Sequence, residues 1–307
     1  MFLLSDLSDL KKEVKEIKKQ NKAFHIIKQY INITENPFPS LQPKNRQDVV
    51  WQFWEPPKTT NYSAGLKLVS SCLESVQKNI WAGYKRELLD LSTSKKYVEF
   101  PDFVYQKLQD NRDGFGFTAF SDILRLALLY KFGGIWLDAS ILVLQPLGTK
   151  YIFYKHGTGF SFARSPNVSS SDRRTWRHYD PTYFSWSRFS RIKWLNSFII
   201  SGENTKIIEE LLRILLLIWK YEHRYPHYFT TQITYNHLAK INASAAFSSQ
   251  SDIPIHYLQR HLNEKFNTDI YNHIKRSCPL QKMSWKIHAP KLPNQDTFFD
   301  HIIQQKL

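Results

Sequence analysis

A chain of 307 residues, 42% hydrophobic and 15% aromatic, holds enough apolar side chain for one large α/β domain with appendages or for two small domains, which excludes wholesale disorder. Its two cysteines, Cys72 and Cys278, exclude a disulfide framework and offer no zinc spacing, as expected of a reducing compartment. The net charge of +15 suits nucleic acid, an anionic membrane surface or a phosphorylated substrate, but the Lys and Arg residues are scattered and no nucleic-acid-binding signature is present, so no nucleic-acid partner is expected.

The opening stretch, MFLLSDLSDLKKEVKEIKKQ, turns charged too soon for a signal peptide, and the longest apolar run, around 211–219, is interrupted by Arg213 and too short to span a bilayer. A soluble, cytoplasmic protein is expected, with the inner face of the cell membrane as a peripheral location. Residues 3–31 lack Gly and Pro and place Leu3, Leu7, Leu10, Val14, Ile17, Phe24 and Ile31 at heptad spacing, broken by Asn21 and Lys28. With Leu7 at position a, Asp6 and Glu13 fall at g and Lys11 and Lys18 at e, where strands of a parallel coiled coil exchange charge. Three readings stay open: a homodimer through this helix, an amphipathic helix packed on its own domain, and a basic helix lying on anionic lipid. Residues 36–47, with Pro37, Pro39 and Pro43, read as a linker, so the chain divides into a helix over 1–35, the linker, and a main domain over 48–307.

The run DVVWQFW at 48–54 is β-branched and aromatic, stops at Glu55-Pro56-Pro57 and predicts a buried first strand. Helices are predicted over 66–79 and 101–109, with a second strand at 84–91. The stretch 120–147, FSDILRLALLYKFGGIWLDASILVLQPL, is the most informative. Ser121 suits an N-cap, an apolar helical face follows, and Gly133-Gly134 ends the helix. A short buried strand at 135–137 then puts Asp138 at its carboxyl end, where open α/β sheets bind ligands. A strand at 141–144, a strand pair within 151–163, a polar basic loop at 165–179 and helices at 207–221 and 231–239 complete the reading. The alternation argues for a mostly parallel sheet with covering helices.

The segment SDILRLALLYKFGGIWLDAS resembles the core motif of the capsular polysaccharide synthesis proteins, relatives of glycosyltransferases with a DXD sugar-binding motif and, more distantly, of the glucosylating clostridial toxins. VVWQFWEPP is similar to that family's first strand, and Trp194, Asn196 and the MSWK segment at 283–286 match more loosely. The likeness spans about 49–286 and is closest over 121–140. It implies a GT-A α/β fold with a Rossmann-like, mostly parallel sheet. It also implies transfer of a hexose, from UDP-galactose or UDP-glucose, to a capsular or lipid-linked glycan with retention of configuration. A sugar-phosphate transferase on a similar fold is the runner-up, and a basic coiled-coil scaffold the reading from another class.

On that resemblance Asp138, Asp122 and Arg125 form the catalytic set, with Asp138 touching ribose or sugar hydroxyls and Asp122 and Arg125 binding the donor sugar. Trp51, Gln52, Trp54, Ser121, Gly134, Ala139, Ser140 and Lys286 join them in holding the nucleotide sugar. Read without it, the same stretch is a capped helix before a strand, with Asp122 a first-turn acid, and Trp51 and Trp54 are equally core residues. Ser140 stands where the second Asp of DXD belongs, and a hydroxyl is a weaker ligand for a hard cation than a carboxylate. Mn²⁺ or Mg²⁺ is therefore expected to rest on Asp138 with help from His288 or Asp296, or to be replaced by cationic side chains. The acceptor is expected over 164–194, whose arginines and aromatics (Arg173, Arg174, Trp176, Arg177, His178, Tyr179, Trp186, Arg188, Arg191) suit an anionic glycan and equally suit a solvated loop over core aromatics.

Overall fold

The structure is a computed structural model that describes residues 2–44, 48–57, 63–110, 113–149, 151, 159–286 and 296–307. Helix α1 (Phe2–Ile31) precedes β1 (Val49–Phe53), α2 (Ser63–Asn79), β2 (Lys85–Leu89), α3 (Leu91–Ser94) and α4 (Asp102–Asp110). Then come α5 (Phe117–Phe132), β3 (Gly134–Leu137), β4 (Ile141–Val143), β5 (Phe160–Ala163), α6 (Ser170–Tyr179) and β6 (Trp194–Ser201). The chain continues through α7 (Lys206–Tyr221), α8 (Thr230–Ile241), β7 (Ser248–Ser251), α9 (Tyr257–His261), α10 (Thr268–Ser277), β8 (Leu280–Lys282) and α11 (Phe298–Ile303).

The central sheet runs β2-β1-β3-β6-β5-β7. β1 is parallel to β2 and β3, β5 is parallel to β7, and β6 is antiparallel to both its neighbours, so the sheet is mostly parallel. β1 and β3 are buried along their whole length, as strands covered on both faces must be, which is why they read as unbroken apolar runs. β4 leaves the main sheet and pairs antiparallel with β8. Among the described residues no helix is long and apolar enough to cross a membrane.

Several expectations shift. α5 starts at Phe117, with Gly116 at its N-cap, so Ser121 lies in the second turn and caps nothing. Phe120 is wholly buried and extends the apolar face backwards. The helix ends where Gly133 takes φ 65°; a Cβ there would stand 2.9 Å from the Glu203 nitrogen, which leaves room only for glycine. The predicted loop 165–179 is largely helical: Ser169 caps α6 by accepting from the Asp172 N–H at 3.1 Å, and Asp172 and Arg177 suit the two ends of its dipole. Of the strand pair expected within 151–163, β5 is present and pairs with β6 and β7, and residues 152–158 lie outside the described residues. β6, wholly buried over eight residues, has no counterpart among the predicted elements.

α1 packs against α6, α7 and α8 of its own chain. Its second half contributes Ala23, Ile27 and Tyr30 to the same core that holds Phe38 and Leu41 of the predicted linker. Its first half buries a polar line instead. Asp9 meets His178 at 2.8 Å, Glu13 meets Arg177 at 2.9 Å and also Ser185, Glu16 meets His227 at 2.9 Å, and Gln20 accepts the Arg191 N–H at 2.8 Å. Over this half the heptad seam faces outward, with Leu7, Leu10 and Val14 48%, 47% and 45% exposed, while its later members Phe24 and Ile31 pack against the core.

Candidate active site

Asp138 is the first residue past β3. The β3–β6 pairing continues onto it, its N–H donating to the Ser197 carbonyl at 2.9 Å. The chain then turns through Ala139 and Ser140, with the Ile141 N–H closing on the Asp138 carbonyl at 2.9 Å, and enters β4. Across this turn the Asp138 and Ser140 side chains converge on one group. The Lys282 ammonium lies 3.0 Å from Asp138 Oδ2 and 2.6 Å from Ser140 Oγ. Lys282 is placed by β8, opposite Ile141 in the β4–β8 register, and the Met283 N–H fixes the next step on the Ser140 carbonyl at 2.8 Å.

Arg125 lies behind Asp138. Its guanidinium stands 3.4 Å from Asp138 Oδ1 and 2.9 Å from Asp122 Oδ1, donates to the Asn196 carbonyl at 2.6 Å and to Ser121, and packs 5.0 Å from the Trp136 ring centroid. The Trp136 indole N–H donates to Asp138 Oδ1 at 2.8 Å. Asp122 accepts from Asn196 Nδ2 at 3.0 Å and from the Thr231 hydroxyl at 2.6 Å. Exposure separates the layers: the Asp138 and Lys282 side chains are 20% and 22% exposed, those of Asp122 and Arg125 only 5% and 4%. Asp122 and Arg125 are thus the support beneath Asp138, with no open face for a sugar in this structure.

The charges follow from the geometry. Burial opposes ionisation of Asp138, but Lys282 and Arg125 outweigh it and hold the carboxyl well below the usual carboxylate range. At Asp122 burial dominates and raises the carboxyl, against the pull of Arg125.

Of the other sequence candidates, Ser121, Ala139 and Ser140 belong to this cluster. Trp54 sits just past the carboxyl end of β1, edge-on to Trp285 with ring centroids 5.9 Å apart. The exposed Lys286 reaches to 5.8 Å from the Tyr228 ring centroid and 5.5 Å from that of Trp285. The Trp285 backbone presses on α2: a Cβ at Gly65 would stand 1.7 Å from its carbonyl oxygen. Three candidates are placed elsewhere. Trp51 is fully buried between Tyr97 and Phe132, its indole on the Gly133 carbonyl at 3.0 Å, and is a core residue. Gly134 opens β3 at the end opposite Asp138, roughly 13 Å of strand away. Gln52 is fully buried, its Oε1 accepting from Arg86 at 2.6 Å, while its Nε2 finds no hydrogen-bond partner among the described residues. His288 lies outside the described residues. Lys282, Trp136, Thr231 and Trp285 were not singled out from sequence; Trp136, inside the core motif, and Trp285, inside the MSWK segment, carried a local signal, and Lys282 and Thr231 did not.

A divalent cation asks for several free oxygen ligands. Here both Asp138 oxygens are already engaged by Lys282, Arg125 and Trp136, Ser140 faces the same ammonium, and among the described residues no three His, Cys, Asp or Glu side chains converge. Among the described residues this cluster offers no ready ligand set for Mn²⁺ or Mg²⁺, and His288, the further ligand expected, lies outside them.

The basic, aromatic segment expected to meet the acceptor is mostly used internally. Arg177 serves Glu13, Arg191 stacks on Phe24 at 3.8 Å, and Trp176 is buried. Arg164 is buried in an ion pair with Asp252 at 2.8 Å, held among the rings of Tyr183, Phe184 and Trp186. What remains open is a cleft of about 670 Å³ between α6, α9 and α10, lined in part by Ser169, Asp172, Trp176, Tyr257 and Arg260. None of the nucleotide-sugar candidates lines it.

His256 packs on Tyr183 and Phe184 beside that ion pair, and burial pushes its imidazole down to about 4, against the pull of Asp252. The unfolded chain takes up this proton below about pH 6.5 and the folded chain only near pH 4. Stability is therefore full above pH 6.5 and falls as the medium is acidified through this window, by about 2 kcal/mol on reaching pH 5. Urea unfolding across that range should show the loss in the native protein and a flatter profile in His256→Phe.

A solved structure titled PaToxG Glycosyltransferase matches over 86% of this chain and 95% of its own, at 14% identity and a TM-score of 0.35. No curated protein matches. The family model described as capsular polysaccharide synthesis protein matches residues 6–302, nearly the whole chain, and with it the Asp122–Arg125–Asp138 cluster. The chain belongs to the capsular polysaccharide synthesis protein family.

Proposed function

We propose that this protein is a retaining glycosyltransferase of GT-A type that moves a hexose from a UDP-sugar, UDP-galactose or UDP-glucose first, to a growing surface polysaccharide. The observation that carries the reading is the Asp138–Lys282–Ser140 cluster at the carboxyl end of β3. Where relatives with D-x-D offer two carboxylates to a cation, this chain offers one carboxylate, a hydroxyl and a built-in ammonium.

In this reading Lys282, backed by Arg125, supplies the fixed positive charge that a departing diphosphate needs, already oriented and partly shielded from water. The bond from the sugar C1 to the diphosphate oxygen breaks, a bond from C1 to the acceptor oxygen forms on the same face, and the acceptor proton leaves with the diphosphate. Asp138 accepts from donor hydroxyls, and the Asp122–Asn196–Thr231 network keeps Arg125 and Asp138 in place. Trp54 and Trp285 provide an aromatic wall for the base or sugar, and Lys286 a cation at the rim. The cleft beside α6 is the proposed path of the acceptor.

The test is nucleotide release from a panel of nucleotide sugars, with Mn²⁺ and with chelator. UDP release from one hexose donor, unchanged by chelator, is the expected result. Activity lost to chelator and restored by Mn²⁺ would overturn the role of Lys282, and release of a nucleoside monophosphate would identify a sugar-phosphate transferase instead.

A further inference from the structure

We propose that the first half of α1 is a docking face for an anionic lipid bilayer. Leu7, Leu10 and Val14 are each nearly half exposed and, with the half-buried Ile17, form a stripe about 15 Å long on one side of the helix. Three leucines and valines left outside on one face of a domain that buries its other apolar helices need something to cover them.

The charges around the stripe say what that is. Every acid of α1 is turned inward or tied down: Asp9, Glu13 and Glu16 are buried against His178, Arg177 and His227, and Asp6 is partly covered beside Arg174. The exposed charges on the helix are lysines. Lys12 and Lys19 each lie within ion-pair distance of an acid one turn away, at 3.8 and 3.5 Å. Lys11, Lys15, Lys18 and Lys22 have no acidic partner among the described residues, and by helical spacing they form the row beside the stripe. An apolar strip edged by free lysines matches the headgroup boundary of an anionic membrane. The exposed Phe189, with Arg188 at 4.7 Å from its ring, extends this surface, since Arg191 two residues on bonds Asn21, one turn beyond Ile17 on the same stripe.

The same observations disfavour a second copy as the occupant. A parallel coiled coil needs acids at g to meet Lys11 and Lys18 at e. Glu13 is consumed by Arg177 and Ser185, and Gln20, the next g residue, by Arg191, so the body of the domain stands on that flank. Two such faces brought together would oppose lysine to lysine.

The experiment is co-sedimentation of the full chain with vesicles of phosphatidylcholine alone or with one third phosphatidylglycerol, at low and high salt. Binding to the anionic vesicles that weakens with salt is expected, with little to the neutral ones. Each Lys→Gln change at Lys11, Lys15, Lys18 or Lys22 should weaken it about fivefold, the fourfold variant leaving none measurable. Leu10→Glu should abolish it while the melting temperature and nucleotide release in solution stay at native values, because the side chain is exposed and is not one of the residues placed in the site. Absent binding to anionic vesicles, or binding untouched by Leu10→Glu, would overturn the proposal. So would light scattering that shows a dimer which Leu10→Glu splits.

Discussion

Asp138→Asn is expected to lower turnover of the nucleotide sugar by about 10²–10³-fold, with the loss in kcat at least as large as any rise in KM. The carboxylate sits between the Lys282 ammonium and the Arg125 guanidinium at 3.0 and 3.4 Å, and it orders both. An amide of the same shape offers one acceptor in place of two, turns an N–H toward one of the cations and removes the charge that anchors them. Lys282→Met should show a loss of similar size, because it removes the cation proposed to meet the diphosphate. The two losses should add to much less than their sum in the double variant, since each residue acts through the other. A more pointed version restores the second acid and deletes the ammonium: Ser140→Asp with Lys282→Ala should regain part of the activity only when Mn²⁺ is supplied. Nucleotide release with and without the metal reads all four. Near-native turnover by Asp138→Asn would remove Asp138 from the site.

The second large effect concerns stability. Asp252→Ala should destabilise the protein by about 3–5 kcal/mol, because Arg164 would be left charged and buried without its partner. Its guanidinium accepts no substitute readily: it is flanked by Tyr183, Phe184 and Trp186, and its remaining bond goes to the Tyr183 carbonyl at 3.1 Å. The pair sits at the ends of β5 and β7, one step beyond the Ala163–Ser251 pairing, so its loss opens the sheet edge. Arg164→Met combined with Asp252→Leu should recover most of the loss, since apolar groups of similar volume need no desolvation. Urea unfolding of the two variants measures this directly. A single variant within about 0.5 kcal/mol of the native protein would show that water reaches Arg164.

What the sequence disclosed, it disclosed where structure is local. The helix over α5, the glycine stop, the strand and the acid at its end all depend on neighbours within one short stretch, and all but the first turn of α5 are where the pattern put them. Lys282 was missed because it comes from 144 residues downstream and reaches Asp138 only through the β4–β8 pairing. Trp51 and Trp54 look alike in an aromatic strand; only the pleat and the strand end decide that one is core and the other rim. α1 shows the same limit from the other side. Its heptad correctly marked a helix, yet the buried face is the line of Asp9, Glu13, Glu16 and Gln20. Arg177 and His178 of α6 and His227 of the loop before α8 supply the polar partners that made that face the favourable one to bury.

The close seating of Trp285 on Gly65 has a consequence for donor choice. With a carbonyl oxygen occupying the space of a missing Cβ, the strip that carries Lys282 and Trp285 cannot shift without moving α2 with it. In the proposed reading, a sugar placed against Trp285 would be measured by main chain resting on main chain, a stiff gauge with no hinged side chain to give way, and donors one substituent too bulky would be turned away by the whole helix.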